Sequence, residues 1–142
     1  KLVFIIAGDG PKKNSINKLI NDLNLTPHVK LHGHINKVSE FLSALDILVL
    51  SSDSKEGVPQ SVMQGLFMNK PVVATNSGST KDLLFDNNFK LVNTNDTKAL
   101  IDGVSFYLEN KICKDTRKEM LNMFSKNIMA EKILYVYKLI LL

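Results

Sequence analysis

Residues 47–75 read ILVLSSDSKEGVPQSVMQGLFMNKPVVAT, and this stretch holds one complete strand–helix–strand unit. The strand expected at Ile47–Ser51 opens it, unbroken apolar over Ile47–Leu50, and Val72–Thr75 closes it as a second, largely β-branched one. Runs without polar alternation suit the strands of a parallel sheet, where helices cover both faces. Between them the spacing predicts a helix over Gln60–Met68. Pro59 stands where that helix should start, since proline at the first helical position forfeits only an N–H that has no partner there. Around the helix, Val62, Met63, Leu66 and Phe67 share one face, while Gln60, Ser61, Gln64 and Gly65 share the opposite stripe.

The same alternation continues in both directions. Further strands are expected at Leu2–Ala7, Val29–His32 and Lys90–Val92, and further helices at Ser15–Leu23, Val38–Leu45, Lys81–Leu84 and Lys98–Leu108. Asn93–Thr97 reads as a loop that ends in a helix N-cap, and a last, broken helix runs from about Lys114 to Leu141. Repeated strand–helix–strand units with short turns define an open, doubly wound parallel α/β sheet. No internal repeat, low-complexity tract or linker interrupts it, so residues 1–142 are expected to form one domain.

Composition narrows the classes. The chain has 142 residues, 44% apolar and 23% charged, which fits a globular domain and excludes wholesale disorder. Cys113 is the single cysteine, so neither an internal disulfide nor a cysteine-based zinc cluster is available, and a reducing compartment is expected. The formal net charge is +4, but Arg117 is the sole arginine, the lysines are spread along the chain and there is no Trp. With no basic run interleaved with base-stacking aromatics, nucleic acid is not an expected partner. The chain opens at Lys1 directly on the apolar run 2–7 without a secretory leader pattern, as though in mid-domain. Its most apolar segment, ILYVYKLILL at residues 133–142, contains Lys138 and falls short of the ~20 residues that span a bilayer. That segment is expected to pack within the protein, with a membrane-surface contact as the alternative.

Doubly wound sheets bind ligands beyond the carboxyl ends of their strands, which selects Gly8-Asp9-Gly10-Pro11, Gly33-His34, Ser51–Pro59 and Asn76–Ser79. The Gly8–Pro11 turn is not a G-x-G-x-x-G fingerprint and no G-K-[ST] follows it, so on its own it reads as a tight turn. The start of the 60–68 helix aims free N–H groups at the crevice, where they favour an anion such as a diphosphate. Glu56 at the same mouth would repel phosphate and is suited instead to accept hydrogen bonds from hydroxyls. A carboxylate beside an anion site is what a sugar diphosphate needs; a plain surface glutamate near a helix N-terminus is the alternative. His32 and His34 lack the cysteines or third ligand a metal site needs, so no metal is expected. No G-x-S-x-G elbow is present, and Cys113 lies in a charged stretch, so nucleophilic hydrolysis has little support.

Taken together, four motifs resemble those of the retaining glycosyltransferases of family 4. Residues 56–79, EGVPQSVMQGLFMNKPVVATNSGS, resemble the family's E-x7-E region; Gly8–Pro11 its G-D-G-P turn; Val29–Gly33 (VKLHG) its V-x-F-x-G strand; and residues 44–52 (ALDILVLSS) its A-D-x-x-V-x-P-S stretch. The resemblance implies the C-terminal, Rossmann-like, donor-binding half of a two-domain GT-B enzyme. It implies that Glu56 contacts the transferred sugar as the catalytic-site carboxylate. It also implies that Gly57, Val58, Pro59 and Gln60 cradle sugar and diphosphate, and that Gln64 holds the ribose. Gly33 and His34 would lie near the nucleobase, with Gly8 in the donor-side turn. Gln64 departs from the usual second glutamate, although an amide still bonds ribose hydroxyls. Asn69 stands where glycine often follows the helix, Gly78-Ser79 replaces a glycine pair and Asp82 a glutamate.

The chemistry implied is transfer of a hexosyl unit with retention from a nucleotide-diphosphate sugar, a UDP-sugar first among them. It proceeds without a metal or other cofactor, and diphosphate departure is eased by fixed positive charge. Implied partners are the donor, an N-terminal acceptor domain absent from this chain and a membrane surface; the implied location is cytoplasmic, at the inner membrane face. The family's basic diphosphate ligands and first strand would precede Lys1, which leaves Leu2–Ala7 and Ile47–Leu50 either separated by a gap or paired directly. The pathway implied is surface polysaccharide or lipopolysaccharide synthesis. A GT-B sugar-nucleotide epimerase and a non-catalytic nucleotide-binding or interaction domain are the alternatives.

Overall fold

The computed structural model describes residues 2–53, 57–83, 88–111 and 114–141. Its elements run β1 (Phe4–Ala7), α1 (Lys13–Asp22), β2 (Val29–Gly33), α2 (Val38–Ser43), β3 (Leu48–Leu50), α3 (Gln60–Phe67), β4 (Val72–Thr75), a 3-10 turn (Thr80–Leu83), β5 (Phe89–Val92), α4 (Thr97–Glu109), α5 (Arg117–Phe124) and α6 (Lys126–Leu141). The strand–helix alternation is the α/β order expected. It divides into two compact units, Lys1–Phe41 and Leu42–Leu142.

In the first unit β1 and β2 pair in parallel, Phe4 opposite Val29 through Ile6 opposite Leu31, and the register then slips so that Ala7 faces Gly33. The apolar run 2–7 is not the doubly buried strand its composition suggests. Phe4, Ile5 and Ile6 are about 40% exposed, because β1 has a ladder partner on one side and Ile20 is the one buried residue of α1. Helix α1 also starts two residues earlier than expected. Ser15 resembles a cap, but its hydroxyl bonds back to the Lys12 carbonyl at 2.7 Å inside the first turn.

The second unit holds a parallel sheet in the order β3-β4-β5. Central β4 is buried at all four positions, whereas edge β3 is half-buried rather than covered on both faces. Val62 and Leu66 of α3, Val72 and Ala74 of β4, Phe89 of β5 and Met120 of α5 build the core. Glycine permits close approach on α3. A Cβ at Gly65 would stand 2.6 Å from Leu48 Cδ2, so Gly65 lies on the buried face with Val62 and Leu66, and Phe67, expected inside, is 43% exposed. Leu66 and Phe67 are 100° apart around the helix, and the Gly65–Leu66 side is the one that meets β3 and β4.

The remaining elements follow local chemistry. The Asn93–Thr97 loop ends in the expected cap, Asp96 accepting from the Ala99 N–H at 2.9 Å. Of the helix expected at Lys81–Leu84, residues 81–83 fall in a 3-10 turn, Thr80–Leu83, held by the Thr80 hydroxyl on the Ser77 carbonyl at 2.6 Å, and residue 84 lies outside the described residues. The C-terminal helix breaks where Ser125 turns extended at ψ 151. Residues 133–141 do not pack inside: α6 has no buried residue, and Ile133–Leu141 are largely exposed, Leu141 to 83%. Lys126, Lys132 and Lys138 fall about 120° apart around this helix, so no wholly apolar face forms against its neighbours. The described ladders form two sheets, β1-β2 and β3-β4-β5. No described helix is long and apolar enough to cross a membrane.

Candidate functional site

The carboxyl ends of the strands, where ligands of such sheets bind, are built separately in each unit. In the first, β1 runs into Gly8, whose φ of +121 is open to glycine and few others. The Gly8 N–H donates to the Gly33 carbonyl at 2.7 Å. Gly10 has no such demand, since a Cβ there would meet nothing within 4 Å. Gly33 ends β2 at φ +79 and is buried, and His34 emerges exposed immediately after it. Asp9 accepts from Lys13 Nζ at 3.0 Å and from the Gly10 N–H at 3.2 Å. The bonded ammonium of Lys13 holds the Asp9 carboxyl below the usual carboxylate value. His32 turns its ring edge-on to Phe41, with centroids 6.0 Å apart.

In the second unit β3 ends at Leu50, and the Thr75 hydroxyl at the end of β4 bonds the Ser52 carbonyl at 2.5 Å. That bond ties the end of β4 to the chain just beyond β3. Glu56, the carboxylate on which the sequence argument leans, lies outside the described residues. Gly57 is exposed, Val58 packs half-buried against the core and Pro59 is buried. Pro59 is the N-cap rather than the first helical residue, with ψ 117. Its carbonyl accepts from the Met63 N–H at 3.1 Å, and the N–H groups of Gln60, Ser61 and Val62 form the first turn of α3, without a side-chain cap or other partner among the described residues. Gln60 and Gln64, one turn apart, share an exposed stripe as expected. Beside them an open groove of about 640 Å³ is lined by Val58, Gln60 and Met63, by Phe124 of α5 and by Ile133 and Val136 of α6.

Asn69 closes α3 in the left-handed region at φ +58, the conformation its place after the helix predicted. The loop after β4 turns at Gly78, φ +57, and buries the Ser77 hydroxyl without a hydrogen-bond partner. Three features escaped sequence reasoning: the Thr75 anchor, the Asp9–Lys13 pair and the bonds from Thr116 to the end of α3. An i, i+4 spacing of opposite charges signals the second. The first and third join residues 23 and 47 apart in sequence and leave no local pattern.

Parallel α/β units with short strands, a proline-capped helix at the sheet's carboxyl edge and glycine turns at positive φ define a Rossmann-like class of fold. Its structural neighbours specify it further. The chain superposes on Anabaena HepE in complex with UDP with a TM-score of 0.85 at 19% identity, covering 96% of this chain and 41% of that one. This is the fold of the C-terminal domain of a GT-B glycosyltransferase. The family model for glycosyl transferases group 1 matches residues 1–129, and the chain belongs to that family. An uncharacterised glycosyltransferase of Methanocaldococcus jannaschii is 42% identical over 72 residues, 51% of this chain and 18% of that protein. The UDP-Gal:alpha-D-GlcNAc-diphosphoundecaprenol alpha-1,3-galactosyltransferase of Escherichia coli is 28% identical, covering 95% of this chain and 36% of that protein. The chain thus spans well under half the length of the curated relatives it matches.

Proposed function

We propose that this chain is the nucleotide-sugar-binding domain of a retaining glycosyltransferase that moves a hexosyl unit from a UDP-sugar to a surface glycan or glycolipid. The observation that carries it is the first turn of α3, where Pro59 caps the helix and leaves the N–H groups of Gln60, Ser61 and Val62 at the carboxyl edge of the sheet. Those N–H groups and the helix dipole suit the diphosphate, whose negative charge grows as the anomeric C–O bond breaks and its electron pair passes to the leaving oxygen. Gly57, Val58 and Pro59 form the backbone around that charge. Glu56 accepts hydrogen bonds from the transferred sugar's hydroxyls, and Gln64, on the stripe with Gln60, serves the ribose. In the first unit Gly33 and His34 serve the nucleobase, and Gly8 stands in the donor-side turn.

The relatives' names support the donor class and the pathway. The E. coli relative is named for UDP-Gal, HepE has been crystallised with UDP and with UDP-glucose, and another relative is an O-antigen biosynthesis glycosyltransferase. Transfer itself is assigned to the whole protein, at the cytoplasmic face of a membrane, together with an acceptor-binding domain.

Calorimetric titration with UDP, GDP and their sugars tests the assignment. Uridine nucleotide should bind, the UDP-sugar more tightly than UDP, and Glu56→Ala should remove the increment due to the sugar. No binding at millimolar nucleotide, or a UDP-sugar affinity indifferent to Glu56→Ala, defeats it. One residue favours a second reading, a binding module without transfer: Gln64 replaces the second carboxylate of the motif. Nucleotide binding by a full-length protein that neither transfers nor hydrolyses the sugar would select it.

A further inference from the structure

The turn that follows β1 carries an ion pair for which the proposed donor contacts have no use. Lys13 Nζ and Asp9 Oδ2 are 3.0 Å apart, each side chain about half exposed. Such a pair adds little to global stability. Nor does it serve α1, because Lys12 and Lys13 open that helix where its dipole disfavours positive charge. Its position is more telling. A Cβ built on Gly33 would stand 3.8 Å from Asp9 Oδ2 and 3.9 Å from Lys13 Nζ, so both charged groups lie over the Gly33 Cα. The Gly33 carbonyl is meanwhile taken by the Gly8 N–H at 2.7 Å. A glycine at φ +79 is conformationally free, and here its carbonyl is bonded while the Asp9–Lys13 pair stands on the side where a Cβ would be.

We propose that Asp9, clasped by Lys13, is a positioning residue for nucleobase selection: it fixes the Gly33–His34 peptide from which His34 projects. The proposal rests on the donor assignment above, in which Gly33 and His34 serve the base. Bases differ in the order of donors and acceptors along one edge, and a mispaired polar group is costly only if the protein cannot shift to accommodate it. A peptide pinned by Asp9 rejects the wrong edge; a loosened one accepts both more evenly. The clasp is present at neutral pH, because Lys13 keeps the Asp9 carboxyl ionised below its usual range.

The test measures dissociation constants for UDP and GDP, together with thermal midpoints, for the wild-type chain, Asp9→Ala, Asp9→Asn, Lys13→Met and the Asp9→Ala/Lys13→Met double variant. The ratio of the two constants should fall about three- to tenfold in Asp9→Ala, the range of coupling between residues in contact. The double variant should be no worse than Asp9→Ala, and midpoints should stay with the wild type. Should Asp9→Ala not fold, Asp9→Asn, which keeps an acceptor for the Gly10 N–H, gives the same comparison. Wild-type binding with a ratio unchanged in the Asp9 variants overturns the positioning role and leaves the donor assignment standing. Absence of nucleotide binding by the wild type defeats the donor assignment and this proposal with it.

Discussion

Asn69 does two things that its position after α3 forces on one side chain. Its backbone takes the left-handed turn at φ +58, so that its own N–H reaches the Leu66 carbonyl at 2.9 Å and the Lys70 N–H reaches that of Gly65 at 2.9 Å, a Schellman closure. Its amide oxygen then accepts the N–H of Thr116 at 3.1 Å, while the Thr116 hydroxyl bonds the Leu66 carbonyl at 2.5 Å. Thr116 is fully buried, so its N–H has no water to fall back on. Two substitutions separate the contributions. Asn69→Gly keeps the turn and loses the acceptor, and should cost about 1–3 kcal/mol for an orphaned buried donor. Asn69→Ala loses the acceptor and strains the turn, adding about 1–2 kcal/mol more. Urea unfolding of the two variants measures the difference directly; equal losses would mean the turn stores no such strain.

The helices and strands show what a linear pattern carries and what it omits. The strand–helix–strand unit at 47–75, the cap at Asp96 and the break in the C-terminal helix were legible, because each is signalled within a few neighbouring residues. The side of α3 that faces the sheet was only half legible. Hydropathy ranks Phe67 above Gly65, yet β3 passes so close that only a glycine fits there, and the larger residue turns outward. The same holds for Gly103 of α4, where a Cβ would stand 2.8 Å from Val73 Cγ1. In the candidate site the Gln60–Gln64 stripe followed from helical spacing, whereas Thr75 acts across 23 residues and was invisible. Close packing of α4 also sets a measurable property. Tyr107 is 4% exposed, and burial pushes its phenol up to about 12. The unfolded phenol ionises near 10, so the stability it contributes is complete below pH 10 and is lost as pH rises toward 12. The loss should amount to roughly 2–3 kcal/mol. Urea midpoints from pH 9 to 12 should fall more steeply for the wild type than for Tyr107→Phe; parallel curves would show that Tyr107 ionises as freely folded as unfolded.

For the molecule as a whole, apolar exposure and charge are concentrated in one segment. Net charge is not uniform along the sequence: residues 111–142 hold seven of the 18 basic residues and three of the 14 acidic ones, a surplus equal to the entire net charge of +4. The same segment carries α6, where Leu134, Leu139 and Ile140 are 58–72% exposed. Exposed apolar side chains of this size favour association, while like charge on the same segment opposes it. Salt decides the balance, since the screening length falls from about 30 Å at 0.01 M to about 8 Å at 0.15 M and leaves the apolar term intact. The isolated chain should therefore self-associate more strongly at 0.15 M than at 0.01 M salt. Leu134→Lys with Ile140→Lys should return it to monomer by adding charge and removing apolar contact together. Sedimentation velocity over a concentration series at the two salts reads both effects. Association that weakens with added salt would instead assign the contact to opposite charges, and a monomer under every condition would show that α6 is too broken by Lys132 and Lys138 to join two chains.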